Sequence, residues 1–209
     1  MGSGYALRTM AGEAAPAGLS YDAYLALERD TQQRYEWLDG QVYAMAGGTL
    51  PHAALSAAML RELGNLAQGC GCVVFSSDAK VRVEATGLST YPDGSVVCGP
   101  IETSPLDRNA MTNPTVLVEV LSDSTERYDR GEKWAHYRRI PGLRHFLLVS
   151  QYSPHIELYD RTGDSWLLRD GRPGDTLRLE ALGGEGISVD RVYAGITLEA
   201  PPPPVSAGR

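Results

Sequence analysis

The chain has 209 residues and a formal net charge of −7 at neutral pH. Its 43% hydrophobic and 22% charged residues are typical of a globular protein, and the length favours a single domain. The acidic balance argues against a surface that coats nucleic acid indiscriminately. No apolar run approaches the roughly 18 residues of a membrane span, and the N-terminus lacks the apolar core of a signal peptide. We therefore expect a cytoplasmic protein that does not enter membranes.

Three cysteines, Cys70, Cys72 and Cys98, are too few for a disulfide framework. A partial zinc site is disfavoured because the chain has no Cys-x-x-Cys pair with matching histidines. We therefore predict reduced thiols, as in most cytoplasmic proteins.

In chain order, the first third of the sequence predicts a tail, a helix, a hairpin and a second helix. Residues 1–18 are expected to form a flexible N-terminal tail, and Ser20 is a suitable N-cap for the first helix. Two strand-like runs joined by Asp-Gly predict a β-hairpin over residues 35–45. A proline near the first helical position then favours a helix over residues 51–67.

The remainder predicts short strands, one further helix and a C-terminal tail. Strands are predicted at residues 73–77, 79–83, 91–98, 145–150, 155–160 and 165–169. Residues 99–112 are a polar connection, 122–139 a helix, and 187–198 a final strand or edge segment. Residues 199–209, which include four consecutive prolines, are expected to be a disordered tail, leaving 19–198 as one domain. This order indicates an α/β fold with a mixed β-sheet flanked by helices and an N-terminal β-hairpin.

The most informative stretch is the apolar run at residues 113–122, which contains one carboxylate, Glu119. Pro114 suits the start of a strand, and the β-branched residues favour a sheet, so a central buried strand is predicted. Periodicity alone also fits a short buried helix. A buried anion is costly unless it is neutralised, hydrogen-bonded or bound to a metal. The fold must therefore supply a partner for Glu119.

Two residues are candidate partners of Glu119. Asp93 lies at the mouth of the preceding strand, where Pro-Asp-Gly is also ordinary turn chemistry. Two carboxylates at neighbouring strand ends would require a cation such as Mg²⁺ or Mn²⁺ between them. Lys133 falls in the apolar sector of the next helix, where it either pairs with Glu119 or extends past the aromatic residues to solvent. Glu36 and His52 are relevant only if the hairpin folds over this site; otherwise both are ordinary surface residues.

Together, Asp93, Glu119 and Lys133 resemble the PD-(D/E)xK nuclease signature. More closely, about residues 20–198 resemble the Uma2 family of restriction endonuclease-like proteins, also called DUF820. The matching segments are Tyr35-Glu36-Trp37-Leu38-Asp39-Gly40-Gln41-Val42-Tyr43-Ala44-Met45, His52, Tyr91-Pro92-Asp93, Val118-Glu119-Val120-Leu121-Ser122-Asp123-Ser124-Thr125, Asp129, Lys133, Tyr137 and residues 145–149. The set as a whole is specific, whereas each piece alone is weak.

The resemblance implies a restriction-endonuclease-like fold and a metal-dependent endonuclease that hydrolyses phosphodiester bonds in DNA. Asp93, Glu119 and the carbonyl of Val120 would hold Mg²⁺ or Mn²⁺, which lowers the pKa of a water and offsets charge on the phosphate. Lys133 would orient that water or donate to a non-bridging phosphate oxygen.

The resemblance also implies roles for Glu36, at a second metal or an outer-shell water, and for His52, at the phosphate. Two positions depart from the expected patterns. The general nuclease pattern places the lysine two residues after the glutamate, where this chain has Leu121, so Lys133 on the following helix would replace it. Asp123 stands where the family usually has proline, a change expected to affect only the helix cap.

Between Arg127 and Arg144, six basic residues accompany two acidic ones, a local charge of 6 − 2 = +4 in an acidic chain. This segment is the expected DNA-binding surface, with salt-dependent affinity, although a solvated helix face has the same composition. Exposed strand edges also make a homodimer a possible assembly. Two alternatives to the enzyme stay open: an inactive nuclease-like module that binds nucleic acid or a protein partner, and a purely structural ion network. The sequence contains no Gly-x-Ser-x-Gly elbow, P-loop or dinucleotide fingerprint.

Overall fold

The computed structural model describes residues 8–9, 18–45, 47–123, 125–184, 186–198 and 200. Most of the two predicted tails, 1–18 and 199–209, therefore lies outside the described residues, and the domain limits of 19–198 stay a prediction. Among the described helices, none has both the length and the apolar character needed to cross a membrane.

The described strands are β1 (Arg8–Thr9), β2 (Tyr35–Leu38), β3 (Gln41–Ala44), β4 (Cys72–Ser76), β5 (Lys80–Arg82), β6 (Ser89–Thr90), β7 (Gly94–Cys98), β8 (Thr103–Ser104), β9 (Asp107–Met111), β10 (Val116–Leu121), β11 (His145–Ser150), β12 (Ile156–Thr162), β13 (Ser165–Gly171), β14 (Thr176–Arg178) and β15 (Gly186–Ser188). The described helices are α1 (Tyr21–Thr31), α2 (Leu50–Ala67), α3 (Glu126–Tyr128), a π-helix (Asp129–Lys133), α4 (Trp134–Tyr137), a 3₁₀-helix (Glu180–Leu182) and α5 (Val189–Tyr193).

Strand β10 lies inside a six-stranded sheet of order β13-β12-β11-β10-β7-β4. It is parallel to β11 and antiparallel to β7, so the sheet is mixed, as predicted. Val118 and its alternate neighbours face a core built with α2 and α5. Leu117 and Leu121 face the opposite core, which contains Tyr137 and side chains of the second sheet. Because side chains alternate along a strand, Glu119 points to this second side.

The predicted hairpin is confirmed. Strands β2 and β3 pair antiparallel through Asp39 and Gly40, whose φ angles of 51° and 80° suit a two-residue hairpin turn. Trp37 of β2 also pairs with Ser89 of β6, which joins the hairpin to a seven-stranded sheet of order β1-β3-β2-β6-β5-β9-β8. Helix α1, capped by Ser20 as predicted, covers the hairpin through a cluster of buried aromatic residues. The hairpin is thereby held over the end of β10.

The helix predicted over 122–139 consists of three short pieces, α3, the π-helix and α4. In the π-helix, Asp129 and Lys133 are both buried, whereas Arg130 between them is half-buried. A single π turn often marks a functional position in a helical segment. Here it directs an acid and a base, four residues apart, to the same interior space.

Two predictions are wrong, and strands β1, β6, β8, β9 and β14 were not predicted from the sequence. Most of the segment 187–198 is helix α5 and irregular chain rather than a strand, because only its first two residues extend β15. Cys72 and Cys98 form a disulfide instead of two reduced thiols, since they are directly opposite each other on β4 and β7. The polar connection 99–112 contains β8 and β9, which close one edge of the second sheet.

Candidate active site

A pocket of about 300 Å³ opens at the C-terminal end of β10, between the hairpin, the start of α2 and the π-helix. All the residues predicted for the site line it, and these are Glu36, His52, Asp93, Glu119, Val120 and Lys133. They come from five separate segments of the chain. The hairpin does fold over Asp93 and Glu119, which was the condition for Glu36 and His52 to matter.

Asp93 is positioned by the backbone of β10 and by the first turn of α2. Its Oδ2 accepts a hydrogen bond from the Val120 N–H at 2.8 Å and lies 3.3 Å from His52 Nε2. Thr49 caps α2 by accepting a hydrogen bond from the His52 N–H, which places the imidazole at the pocket. Burial acts to lower the pKa of His52, but the hydrogen bond and charge of Asp93 outweigh it, so this pKa lies above its usual value. Asp93 is therefore more than a turn residue.

Glu119 has the partners that its burial requires. Glu119 is only 4% exposed, and its Oε1 accepts a hydrogen bond from the Tyr137 hydroxyl at 2.7 Å. Lys133 Nζ lies 3.0 Å from the same oxygen. Burial raises the pKa of Glu119 well above its usual value; the charge of Lys133 opposes this shift, and the charges of Asp129 and Asp93 add to it.

Lys133 is the centre of an ion network. Its Nζ lies 3.0 Å from Glu36 Oε1, 3.0 Å from Glu119 Oε1 and 3.4 Å from Asp129 Oδ1. Burial acts to lower the pKa of Lys133, but the charges of Glu119 and Glu36 outweigh it and hold this pKa well above its usual value. The ammonium is thus charged and turned inward, and the alternative of a lysine extended to solvent is wrong.

Glu36 is buried at 3% exposure, so the alternative of an exposed hairpin carboxylate is also wrong. The hydroxyl of Thr90 on β6 donates a short hydrogen bond to its Oε1, the oxygen that also faces Lys133. Its Oε2 is buried beyond the reach of an ideal hydrogen bond from the described residues, but the Tyr128 hydroxyl interacts with this carboxylate. Burial raises the pKa of Tyr128, and the charge of Glu36 and a side-chain hydrogen bond with it add to that shift.

Asp129 belongs to the site but was not among the predicted site residues. It is 2% exposed, lines the pocket and faces Lys133. Burial raises its pKa, and the charge of Lys133 opposes that shift. Two features of the sequence pointed to Asp129. It is one of the residues that carry the resemblance to the Uma2 family, and it lies four residues before Lys133. Residues four apart lie on the same face of a helix, so a wheel of 3.6 residues per turn already places Asp129 on the side of Lys133.

A hydrogen-bonded chain along one wall of the pocket was also missed. The Thr49 hydroxyl donates to Gln151 Oε1 at 3.1 Å, and Gln151 Nε2 donates to the Tyr152 hydroxyl at 3.0 Å. The Tyr152 hydroxyl in turn donates a short hydrogen bond to Asp123. Asp123 therefore adds a carboxylate to the pocket wall, and its effect extends beyond the helix cap. No local pattern links Thr49 to residues about a hundred positions away.

The predicted basic segment is not one continuous surface at the pocket. Lys133 is buried in the ion network, and Arg130 is bonded to Glu126 at 2.7 Å and Glu157 at 2.5 Å. The backbone N–H of Arg144 donates to Thr115, just before β10 begins and so at the end of that strand away from the pocket. The proposed DNA contact of this segment stays a prediction.

The residues present fit a divalent cation, although they do not complete its coordination. Among the described residues, no group of three or more histidine, cysteine, aspartate or glutamate side chains is arranged to hold a metal ion. The predicted set has two carboxylates, Asp93 and Glu119, plus a backbone carbonyl. Mg²⁺ prefers such oxygen donors and usually keeps several waters. Burial is the main cause of the raised pKa of Glu119, and the charges of Asp129 and Asp93 add to it, so a cation at the pocket would offset part of this shift.

The fold has a counterpart among solved structures. A crystal structure described as a putative nuclease belonging to DUF820, from Anabaena variabilis, superposes with a TM-score of 0.71 at 14% identity, covering 86% of this chain and 100% of that one. The class of protein is therefore an α/β protein of restriction-endonuclease-like fold, with mixed sheets and an acidic pocket at the end of a central strand.

Sequence comparison identifies the family. Residues 21–191 match Uma2, described as "Putative restriction endonuclease". An uncharacterised Synechocystis protein is 38% identical over 184 residues, 86% of this chain and 94% of that protein. A second uncharacterised Synechocystis protein is 30% identical over 148 residues, 70% of this chain and 84% of that protein. The chain belongs to the Uma2 family.

Proposed function

We propose that this protein is a divalent-metal-dependent endonuclease that hydrolyses phosphodiester bonds in DNA. The observation that carries the proposal is the convergence of Asp93, Glu119 and Lys133 on one open pocket, from segments that are far apart in the chain. Nuclease-like function is also supported by the family to which the chain belongs. A buried carboxylate of raised pKa such as Glu119, beside a buried lysine in a cleft, is typical of catalytic sites.

Each of these side chains has a role that follows from its contacts. Asp93 and Glu119, with the Val120 carbonyl, would hold Mg²⁺ or Mn²⁺. A bound ion would supply positive charge against the phosphate and would lower the pKa of a water molecule. Lys133 is charged and close to Glu119, so it can orient the attacking water or donate to a phosphate oxygen. His52, which lies 3.3 Å from Asp93, would contact the phosphate.

Glu36 and Asp129 also act on Lys133. Both carboxylates lie within 3.4 Å of its Nζ, so they fix the ammonium and keep it protonated. Their main proposed role is therefore to position Lys133. A second cation at Glu36 would be held by Oε2, the oxygen that does not face Lys133.

One observation favours a second candidate function, an inactive module that binds nucleic acid. The ammonium of Lys133 is shared among three carboxylates, and the position two residues after Glu119 is Leu121 rather than lysine. A lysine held in this way would stabilise the fold without reaching a substrate. The two functions differ in whether DNA is cut.

Cleavage of a supercoiled plasmid and of labelled linear DNA tests the enzyme, with Mg²⁺, Mn²⁺ and Ca²⁺ compared. We expect cleavage with Mg²⁺ or Mn²⁺ that falls by on the order of a hundredfold in both Asp93→Asn and Glu119→Gln. Glu102→Gln is the matched control, because Glu102 is exposed and does not line the pocket. Calorimetry should show Mn²⁺ binding that both pocket variants weaken.

Two results would count against the proposal. Cleavage that persists in Glu119→Gln would place the activity elsewhere or in a contaminant. DNA binding without cleavage under all three metals would favour the inactive module, and absence of both metal and DNA binding would leave a structural ion network.

A further inference from the structure

A second hollow, a groove of about 650 Å³, runs from the active-site pocket along helix α2. The pocket and the groove share five lining residues, which are Met45, Gly47, Gly48, His52 and Asp93. His52 and Asp93 therefore stand at the junction of the two hollows. A substrate whose reacting phosphate lies at this junction can continue into the groove.

The pocket and the groove differ in charge. Five carboxylates line the pocket, namely Glu36, Asp93, Glu119, Asp123 and Asp129. Among the described residues that line the groove, Asp93 is the sole carboxylate and Arg34 the sole lysine or arginine. The groove therefore presents fewer carboxylates to a phosphodiester backbone than the pocket does, and its amides, hydroxyls and Arg34 can all donate hydrogen bonds to phosphate. In a chain of net charge −7, this makes the groove the better path for an anion.

Arg34 is held in place at the groove and is still accessible. Its Nη1 donates to the Ser77 carbonyl at 2.5 Å and to Asp78 Oδ1 at 3.0 Å, while 44% of the side chain is exposed. Asp78 is 86% exposed, so solvent weakens its hold on the guanidinium. A guanidinium has five N–H donors and suits phosphate oxygens, and the carbonyl of Ser77 fixes its direction.

The helical side of the groove is made of small side chains. Ala53 and Ala57, one turn apart on α2, are exposed and line it together with Ser56. Small residues allow a polymer backbone to approach the helix closely. A large side chain at Ala57 would fill this space, and the same change at exposed Asn65, farther along α2 and outside the groove, would not.

We propose that the groove binds a single strand of nucleic acid that leads away from the phosphate to be cleaved, with Arg34 contacting a phosphate of that strand. This inference rests on the proposed nuclease function and adds the path of the substrate and a binding residue outside the pocket. No phenylalanine, tyrosine or tryptophan is among the described residues that line the groove, so binding there would use the backbone of the strand and be independent of its sequence.

Fluorescence anisotropy with a fluorescein-labelled single-stranded DNA of about 12 nucleotides tests the path, with EDTA present so that no cleavage occurs. We expect Arg34→Gln to weaken binding about three- to tenfold and to lower the slope of log K against log salt by roughly 0.7, the value for one lost phosphate contact on a single strand. The matched control is Arg29→Gln, since Arg29 is exposed on α1 and outside the groove.

Ala57→Trp provides an independent arm that does not depend on charge. It should weaken binding about tenfold or more by filling the groove, whereas Asn65→Trp should change it less than about twofold. Unfolding midpoints of all four variants show whether each is folded.

The outcomes separate this inference from the proposed function. Wild-type affinity in both Arg34→Gln and Ala57→Trp, or no binding of the oligonucleotide by the wild type, overturns the groove. The expected losses of binding in EDTA, together with no cleavage in any metal, support the groove and refute the catalytic proposal instead.

Discussion

Replacing Lys133 with methionine removes an ammonium that lies within 3.4 Å of Glu36, Glu119 and Asp129. Among the described residues, it is the only positive group that forms an ion pair with these three carboxylates. Methionine keeps most of the packing of the lysine stem. Breaking a buried ion pair from one side costs about 3–5 kcal/mol, because the partner is left uncompensated. In a chain of this size 1 kcal/mol corresponds to about 2–4 °C in Tm, so the expected decrease is roughly 6–20 °C.

The loss should depend on pH, with a sign fixed by Glu119. Burial raises the pKa of Glu119 above 4.5, and Lys133 opposes that rise. Without Lys133 the pKa rises further, so folded protein holds a proton that the unfolded chain releases above about pH 4.5. The variant therefore becomes more stable relative to wild type as the pH falls through the range between the pKa of Glu119 in the variant and its lower, though still raised, pKa in wild type.

Urea unfolding followed by tryptophan fluorescence, at about pH 8 and about pH 5.5, measures this effect. Adding Glu119→Gln to the Lys133→Met background should restore part of the loss, because one buried charge is removed, and the non-additivity should be about 0.5–3 kcal/mol. Arg130→Met is the matched control from the same π-helix, since its ion pairs are partly exposed and worth about 1 kcal/mol or less. A loss below about 1 kcal/mol, or an equal loss at both pH values, would refute the reasoning.

Two further predictions concern the histidines. A Cβ at position 48 would lie 2.5 Å from His52 Nδ1, whereas a Cβ at position 47 would meet nothing within 4 Å. We therefore expect Gly48→Ala to move the imidazole away from Asp93 and to lower the pKa of His52, and Gly47→Ala to leave that pKa unchanged. NMR titration of the metal-free protein measures both. An unaltered titration in the first variant would contradict this placement. His145 is buried, with Nδ1 hydrogen-bonded to Asp160, and burial lowers its pKa below 6.5. As the pH falls below 6.5, the histidine of the unfolded chain therefore takes up a proton before that of the folded protein, and the free energy of unfolding should decrease. His145→Gln should reduce this decrease in urea titrations, and an identical pH profile in that variant would show that another group causes it.

Local patterns were sufficient for much of the fold. The apolar run with Pro114 predicted the buried strand β10, and Asp39-Gly40 predicted the hairpin, because both signals act between neighbouring residues. The restriction-endonuclease-like fold and the Uma2 family were predicted from spaced motifs and are confirmed. The expected homodimer stays a prediction.

What escaped prediction depends on distant pairing. The disulfide of Cys72 with Cys98 follows from strand register, which composition does not reveal. The burial of Glu36 depends on β6 covering the hairpin, and helix α5 is too short for its periodicity to be distinguished from that of a strand. At the site, the sequence left two alternatives for Lys133, pairing with Glu119 or extension to solvent. The three carboxylates around its ammonium decide for the first.

The π turn makes the site sensitive to chain length as well as to side-chain identity. Deleting exposed Gly131 would leave every pocket residue in the sequence, yet it would rotate all that follows by about 100° around the helix axis. Asp129 and Lys133 would then be three residues apart and still neighbours on one face of the helix, but Lys133 would leave its position beside Glu119 and Glu36. Among relatives, the number of residues between this aspartate and this lysine is therefore as informative as the identity of the two residues. A one-codon deletion is expected to disable the site without changing any residue that forms it.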